Sequence, residues 1–195
     1  FDCHEKALSV FRNYGDLASM ATCYLGHGDT HRLQRQSSEA LKYYKEALKI
    51  KQDIGDVMGV ATCHGNLGTT YGDMDNLAES EKEYGIARCL YESIGYWKGV
   101  SNSDIGLANT LILTGRAEEA IKLCESILSK NEHIGDQEGI ATCHATIGAA
   151  YYDLGDLNKA IDHLELASQV FNATGQEEYE RRANSLLNEI NHLVR

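Results

Sequence analysis

Ile54-Gly55-Asp56 recurs forty residues later as Ile94-Gly95-Tyr96, and forty residues after that as Ile134-Gly135-Asp136. At the same spacing, Tyr14-Gly15-Asp16 precedes this series and Thr174-Gly175-Gln176 follows it. A fixed period of this length is typical of a protein built from stacked structural repeats, in which each unit packs mainly against its neighbours. The spacing therefore predicts a repeat protein, and it favours recognition of a partner over chemistry.

The tripeptide Ala-Thr-Cys marks where each repeat begins. It occurs at 21–23, 61–63 and 141–143, and the third unit has Ser-Asn-Ser at 101–103 instead. Counting from these positions gives a single repeat domain over 1–195, made of a half-unit, four full units and a terminal capping helix: 1–20, 21–60, 61–100, 101–140, 141–180 and 176–195. Because the sequence begins without methionine and midway through a unit, we expect it to be a fragment of a longer protein.

The units show helical periodicity. One phase of the full units holds only small residues, namely Gly28, Gly68, Ala108 and Gly148. Larger apolar residues fall around this phase at the spacing of a helix rather than of a strand, and the small residues allow two helices to approach closely. Gly55 and its equivalents suit the left-handed residue just past a helix end, and the aspartate that follows suits the next N-cap.

The sequence therefore predicts an all-α fold of helical hairpins with about ten helices. First helices are expected near 16–34, 57–74, 97–114 and 137–154, second helices near 37–54, 77–94, 117–134 and 157–174, and further helices over 1–14 and 176–194.

The last full unit carries a family resemblance. The residues at the family's spacing are Gly148, Tyr151, Gly155, Asp156, Ala160 and Ala167, and the segment 147–156 resembles the first helix and turn of a tetratricopeptide repeat (TPR). The forty-residue period, the Ile-Gly-Asp linker and Asn-Leu-Gly at 66–68 are similar to the subclass that includes the Leu-Gly-Asn repeat scaffold of the G-protein-signalling modulators. The resemblance implies a right-handed α-solenoid of stacked antiparallel hairpins, a TPR-like superhelix. The chain departs from the family pattern at Gln34-Arg35-Gln36, where a Leu-Gly-Asp turn is expected.

Six cysteines raise the question of disulfides or a metal site. Cys23, Cys63 and Cys143 share one repeat phase, so they lie at least a full unit apart along the stack, and no two cysteines have Cys-x-x-Cys spacing. The three Cys-His dipeptides are poor ligand sets, because adjacent residues on a helix point about 100° apart. We therefore predict buried thiols in a reducing compartment, with no metal and no cofactor.

The net charge of −11 limits the class of partner. An acidic chain disfavours nucleic acid, whose phosphates require clustered Lys and Arg, and favours a basic partner. No segment is long and apolar enough to insert into a membrane. Together with the cysteine content, this predicts a cytoplasmic protein.

In the tetratricopeptide repeat family the first helices line a concave groove, so the resemblance implies which residues bind a partner. These are Asp29, Arg32, Asn66, Thr69, Asp73, Asn102, Asn109, Thr146, Tyr152, Asp153, Arg182 and Glu189. An asparagine can donate and accept hydrogen bonds at once, so Asn66 and Asn109 suit the backbone of an extended peptide. The C-terminal acidic tail of a chaperone is disfavoured, because Asp29 lies where members that bind such tails have asparagine.

The sequence contains no nucleophile with a base, no carboxylate pair and no phosphate loop that the repeat phases leave unexplained, so we predict that it is not an enzyme. The first hypothesis is a non-catalytic scaffold that binds a protein or peptide partner, with basic and apolar residues, in the concave groove. Two alternatives stay open. The stack could self-associate into a homo-oligomer through an open end, or it could be the regulatory peptide-sensing domain of a larger signalling protein.

Overall fold

Helices of 17 or 18 residues joined by short turns make up the described part of the chain. The structure is a computed structural model, and it describes residue 11 and residues 14–193. Within these residues there are nine α-helices and no strand: α1 (Leu17–Leu33), α2 (Ser37–Asp53), α3 (Val57–Asp73), α4 (Leu77–Ser93), α5 (Trp97–Leu113), α6 (Ala117–Ile134), α7 (Gln137–Asp153), α8 (Leu157–Ala173) and α9 (Glu177–Leu193). Each predicted helix from residue 16 onward is confirmed. The helix predicted over 1–14 lies outside the described residues except at 11 and 14.

The repeating glycines end helices, as the sequence predicts. Gly55 and Gly135 have φ angles of 71° and 72°, in the left-handed region that a residue with a Cβ enters at a cost. The turn at 34–36 has the same form without glycine, because Arg35 takes a φ of 59°. The N–H of Gln36 donates to the carbonyl of His31 at 2.9 Å and that of Arg35 to Arg32 at 2.9 Å, the two bonds that close a helix end of this type. The segment 34–36 therefore departs from Leu-Gly-Asp in its residue types, but its backbone forms the same turn.

The aspartate after the glycine caps the next helix. Asp56 accepts from the N–H of Gly59 at 2.8 Å, and Asp136 accepts from the N–H of Gly139 at 3.1 Å. Asp56 also pairs with Lys51 at 2.8 Å, and this contact, together with the Gly59 N–H, holds the pKa of the Asp56 carboxyl below its usual value. Each Gly-Asp dipeptide thus both ends one helix and begins the next.

The chain divides into two units, residues 1–100 and 101–195. In the first unit, α1 packs on α2, α2 on α3 and α3 on α4, around a core that includes Tyr44 and Leu67. In the second unit, the core joins α5, α6 and α7 through Ile105, Cys124 and Ile147, and α9 continues the stack by packing on α8. Each unit is thus built from stacked helical hairpins, as expected.

The small residues that recur at one repeat phase of the first helices allow a bulky residue of the second helix of each hairpin to pack against the first. A Cβ added at Gly28 would overlap the ring of Tyr44, one at Gly68 would press on Tyr84, and one at Gly148 would meet Leu164. In the third repeat the same two phases hold Ala108, which is larger than glycine, and Cys124, which is smaller than tyrosine or leucine, and both are fully buried. The close approach of the two helices in each hairpin therefore depends on complementary sizes at these two positions.

The cysteines are free thiols, as far as the structure describes them. Cys63, Cys124 and Cys143 are buried, whereas Cys89 is exposed, which corrects the prediction of buried thiols at that position. Cys89 follows the buried Ala87 by two residues, about 200° around α4, and so faces away from the core. Cys124 and Cys143 lie in one core cluster, and a hydrogen bond with the Cys143 thiol, together with burial, raises the pKa of Cys124. Cys3 lies outside the described residues.

Two histidines of the Cys-His dipeptides pack against second helices. His64 contacts the carboxylate of Glu83 at 2.5 Å. His144 and His163 face each other with their Nδ1 atoms 3.0 Å apart, so one ring must donate its proton and the other must accept. Burial lowers the pKa of both rings, and the charge of His163 lowers the pKa of His144 further.

We predict that alanine substitutions at two glycines change stability in opposite directions. Gly55→Ala should lower the free energy of unfolding by about 1 kcal/mol, because an alanine in the left-handed region is strained. Gly85→Ala, inside α4, should raise it by about 0.5–1 kcal/mol, because alanine restricts the unfolded chain more. Neither added Cβ has a neighbour within 4 Å, so contacts do not account for the difference. Urea denaturation measures both, and a shift of the same sign for the two variants would contradict the assignment of Gly55 to a left-handed helix end.

We predict that the pair of His144 and His163 makes the fold less stable in mild acid. Because the pKa of each ring is lowered in the folded state, the unfolded chain binds more protons below about pH 6.5, and stability present above that pH is lost as the pH falls. Glu132 near His144, and Asp162 and Glu125 near His163, reduce this effect but do not reverse it.

The measurement is the thermal midpoint between pH 7.5 and pH 5. The double variant with His144→Asn and His163→Asn should show a smaller decrease than the unsubstituted chain. His133→Asn, at an exposed histidine of α6, is the control and should leave the decrease unchanged. An equal decrease in the double variant would show that this pair does not cause the sensitivity.

Candidate functional site

The twelve residues predicted to bind a partner all lie on the first helices of the hairpins, which are α1, α3, α5, α7 and α9. The structure places five of them on the lining of two cavities, one in each unit. The others lie outside these cavities, and several are already engaged by neighbouring side chains. The two groups therefore differ in what they offer to a partner.

The cavity in the second unit, here called the α7–α9 cavity, has a volume of about 250 Å³. Its lining residues are Asn109, Thr142, Ala145, Thr146, Ala149, Leu164, Phe171, Tyr179, Arg182, Ala183 and Leu186. Three consecutive first helices contribute predicted residues to it: Asn109 from α5, Thr146 from α7 and Arg182 from α9. The floor comes from the second helix α8, through the buried side chains of Leu164 and Phe171.

The polar groups of the α7–α9 cavity are partly paired with one another. The hydroxyl of the buried Thr146 donates to Oδ1 of Asn109 at 3.4 Å, which fixes the amide so that its NH₂ group remains available. Arg182 is exposed, and within the described residues its guanidinium makes no ion pair or hydrogen bond. Phe171 stacks on Tyr179 with ring centroids 5.4 Å apart, which continues the apolar floor up to α9. The cavity therefore combines an apolar floor with two hydrogen-bond donors.

The cavity in the first unit, here called the α1–α3 cavity, has a volume of about 470 Å³ and a polar lining. It is lined by Arg32 and Leu33 of α1, Arg35 of the turn, Ser37 of α2 and Asp73 of α3. Arg32 donates to the carboxylate of Asp73 at 3.2 Å. Two of the predicted residues thus neutralise each other across the cavity.

Four other predicted residues form hydrogen bonds within the chain. Asp29 accepts from the hydroxyl of Tyr44 at 2.7 Å, and Glu189 accepts from that of Tyr152 at 2.7 Å. The bond to Glu189 raises the pKa of Tyr152. Thr69 bonds the hydroxyl of Tyr84 at 2.9 Å. These contacts fix the side chains and leave each acid with one oxygen for a further donor.

Asn66, Asn102 and Asp153 complete the predicted set. In the part of the chain that the structure describes, their side chains make no hydrogen bond or ion pair. Asn66 is half-buried, and the other two are exposed. Asn66 is therefore half-buried with its amide available, whereas Asn109 is exposed and has its NH₂ group available.

The sequence did not predict the floor of the α7–α9 cavity, because Leu164 and Phe171 are apolar residues of a second helix, where core residues are expected. The signal that could have found it is the pair of small residues Ala145 and Ala149, which lie at groove phases of α7 and line the same cavity. It also missed Arg35 and Ser37 in the α1–α3 cavity, because they lie in a turn and at the start of a second helix.

Among residue 11 and residues 14–193, no group of three or more His, Cys, Asp or Glu side chains could hold a metal ion. None of the helices in the same residues combines the length and apolarity needed to cross a lipid bilayer.

Comparison with known proteins gives a family and several solved structures of the same fold. The profile described as Tetratricopeptide repeat matches residues 1–53 and 99–173. A search of curated proteins gave no match. BtubC (BKLC) from P. vanneervenii is 15% identical with a TM-score of 0.73, and the alignment covers 99% of this chain and 90% of that one.

Two further similar structures are longer proteins. Aspartyl phosphate phosphatase F from Bacillus subtilis is 15% identical with a TM-score of 0.81, covering 93% of this chain and 48% of that one. A Rap protein complexed with Competence and Sporulation Factor is 19% identical with a TM-score of 0.77, covering 87% of this chain and 48% of that one. The present chain therefore spans about half the length of these two proteins, and the low identities indicate a shared fold alone.

The family profile covers more than half of the sequence, and the helices and turns lie where this repeat requires them. The chain belongs to the tetratricopeptide repeat family.

Proposed function

We propose that this chain is a non-catalytic interaction module that binds an extended peptide segment of a partner protein along its first helices. The observation that carries the proposal is the origin of the cavity linings. In the second unit, Asn109, Thr146 and Arg182 reach one cavity from three consecutive first helices. In the first unit, Arg32 and Asp73 reach another from two consecutive first helices. A segment lying across the first helices of either unit would meet side chains of successive repeats, as a repeat surface requires.

The available amides suit a peptide backbone. An extended segment presents N–H and C=O groups on both sides, and an asparagine can pair with either. The NH₂ group of Asn109 remains available beside the cavity, because Thr146 uses only its oxygen. Both the NH₂ group and the carbonyl oxygen of the Asn66 side chain are without a partner among the described residues. These two side chains are the proposed backbone contacts.

The composition of the α7–α9 cavity supports a non-catalytic role. Its lining contains no histidine, cysteine, lysine or carboxylate, which are the side chains that most often act as nucleophile or base. One of the similar structures is a phosphatase, but this chain spans only 48% of it, so that activity is not carried over.

The similar structures support a peptide as the ligand. One is a Rap protein in complex with Competence and Sporulation Factor, and another is a Rap conjugation gene regulator in complex with the Phr* peptide. We infer by this likeness that a peptide-sensing role in a larger regulatory protein is the second candidate function. The forty-residue period and the Ile-Gly-Asp linkers support assignment to the subclass with Leu-Gly-Asn repeats.

The proposal predicts that peptides selected on this chain lose affinity when a groove amide is removed. Peptides selected from a random display library would be synthesised with a fluorescent label, and their binding measured by anisotropy. Asn66→Ala and Asn109→Ala should each weaken binding about fivefold, which is the effect of one lost hydrogen bond. Circular dichroism should show unchanged helix content.

The matched control is Asn158→Ala, an exposed asparagine near the start of the second helix α8. It should leave the affinity unchanged. The proposal is wrong if the library yields no binding peptide, or if Asn158→Ala reduces affinity as much as the two groove variants do.

A further inference from the structure

The α7–α9 cavity allows its ligand to be specified more closely. In a chain with 29 acidic and 18 basic residues, the lining contains one charged residue, Arg182, and no acid. A ligand side chain ending in an ammonium or guanidinium group would lose its hydration there without gaining a carboxylate, and it would approach a like charge. The expectation of a basic partner therefore does not apply to this cavity.

The floor selects an apolar group. Leu164 and Phe171 are 1% exposed, and Ala183 is 4% exposed, so they form fixed walls rather than mobile surface. Ala145 and Ala149 on α7 are partly exposed, so their short side chains supply apolar surface that a ligand can reach. A larger residue at either position would occupy part of the volume of about 250 Å³. These two alanines thus determine what size of group enters.

The rim supplies donors. Oδ1 of Asn109 already accepts from Thr146, and the hydroxyl of Thr142 already donates to the carbonyl of Glu138 at 2.8 Å. The amide NH₂ of Asn109 and the guanidinium of Arg182 remain available among the described residues. Both groups are donors, so they suit acceptor groups of the ligand on either side of the apolar side chain.

We propose that the α7–α9 cavity binds one uncharged apolar side chain, such as leucine, of a peptide segment, while the backbone carbonyls on either side accept from Asn109 and Arg182. This inference rests on the proposed function. It adds the class of peptide residue that occupies this cavity and two alanines of the chain that determine which side chains fit. The occupant is an internal residue of a peptide, because the cavity presents two donors and an internal residue has a backbone carbonyl on each side of its side chain.

Single-residue probes test the cavity without a selected peptide. We would titrate N-acetyl-leucine methylamide, N-acetyl-lysine methylamide and N-acetyl-leucine, and follow the methyl resonances of Ala145, Thr146, Ala149 and Leu164 by NMR. The leucine methylamide should shift these resonances with millimolar affinity, and the lysine methylamide should bind at least about tenfold more weakly, because it lacks a partner for its charge. Free N-acetyl-leucine should bind no more tightly than its methylamide.

Two cavity variants and one control test whether the probes bind in the α7–α9 cavity. Ala145→Leu should abolish the shifts by filling the cavity, and Arg182→Gln should weaken binding about three- to tenfold by removing a charged donor. Gly65→Leu makes a comparable change at the same repeat phase of α3, where an added Cβ has no neighbour within 4 Å, and should leave the shifts intact. If Ala145→Leu lowers helix content, Ala149→Leu and the exposed Arg182→Gln give the result independently.

The outcomes separate this inference from the proposed function. Equal binding of the leucine and lysine methylamides, or tighter binding of free N-acetyl-leucine, would overturn the inference, and the second result would indicate a carboxylate ligand instead. If selected peptides bind through Asn66 and Asn109 but are insensitive to Ala145→Leu, the inference is wrong and the proposed function stands. If the leucine probe binds as expected but no peptide is selected, the proposed function fails and the cavity chemistry stands.

Discussion

The left-handed residue at each helix end is the constraint on which the rest of the structure depends. It stops each helix from α1 to α8 after 17 or 18 residues, and the polar residue that follows begins the next one. Because helices and turns keep these lengths, residues forty apart in the sequence occupy the same place in their hairpins. Arg35 and Asp75 adopt this conformation without glycine, which shows that the surrounding hydrogen bonds, rather than the residue type alone, impose the turn.

The constant register fixes how the helices of a hairpin meet. Gly28, Gly68 and Gly148 place the first helix directly against a bulky residue of the second, whereas the third repeat has a larger residue, Ala108, at the first position and a smaller one, Cys124, at the second. Both helices of each hairpin supply the core, and the first helices keep one side uncovered. The α7–α9 cavity follows from this arrangement, because α7 and α9 both pack on α8, and Leu164 and Phe171 of α8 lie beneath the cavity that they border.

The uncovered side is not uniformly available to a ligand. Tyrosine hydroxyls bind the acids Asp29 and Glu189, and Arg32 pairs with Asp73, so these four charged groove residues are already engaged. Asn66, Asn109 and Arg182 are left with donors that have no partner among the described residues. Recognition along this side is therefore expected to depend on a few donors and on apolar volume more than on the overall acidic charge.

The sequence by itself determined the helices, their ends and the assignment of residues to first or second helices. These features depend on local backbone preferences and on a period that repeats several times, so a deviation at one turn does not shift the others. Only the tertiary structure decided which groove residues are engaged, that Leu164 and Phe171 form a cavity floor, that Cys124 meets Cys143 and that Cys89 faces outward. These properties depend on the distance between side chains of neighbouring helices, and repeat phase fixes the direction of a side chain but not the partner that it reaches.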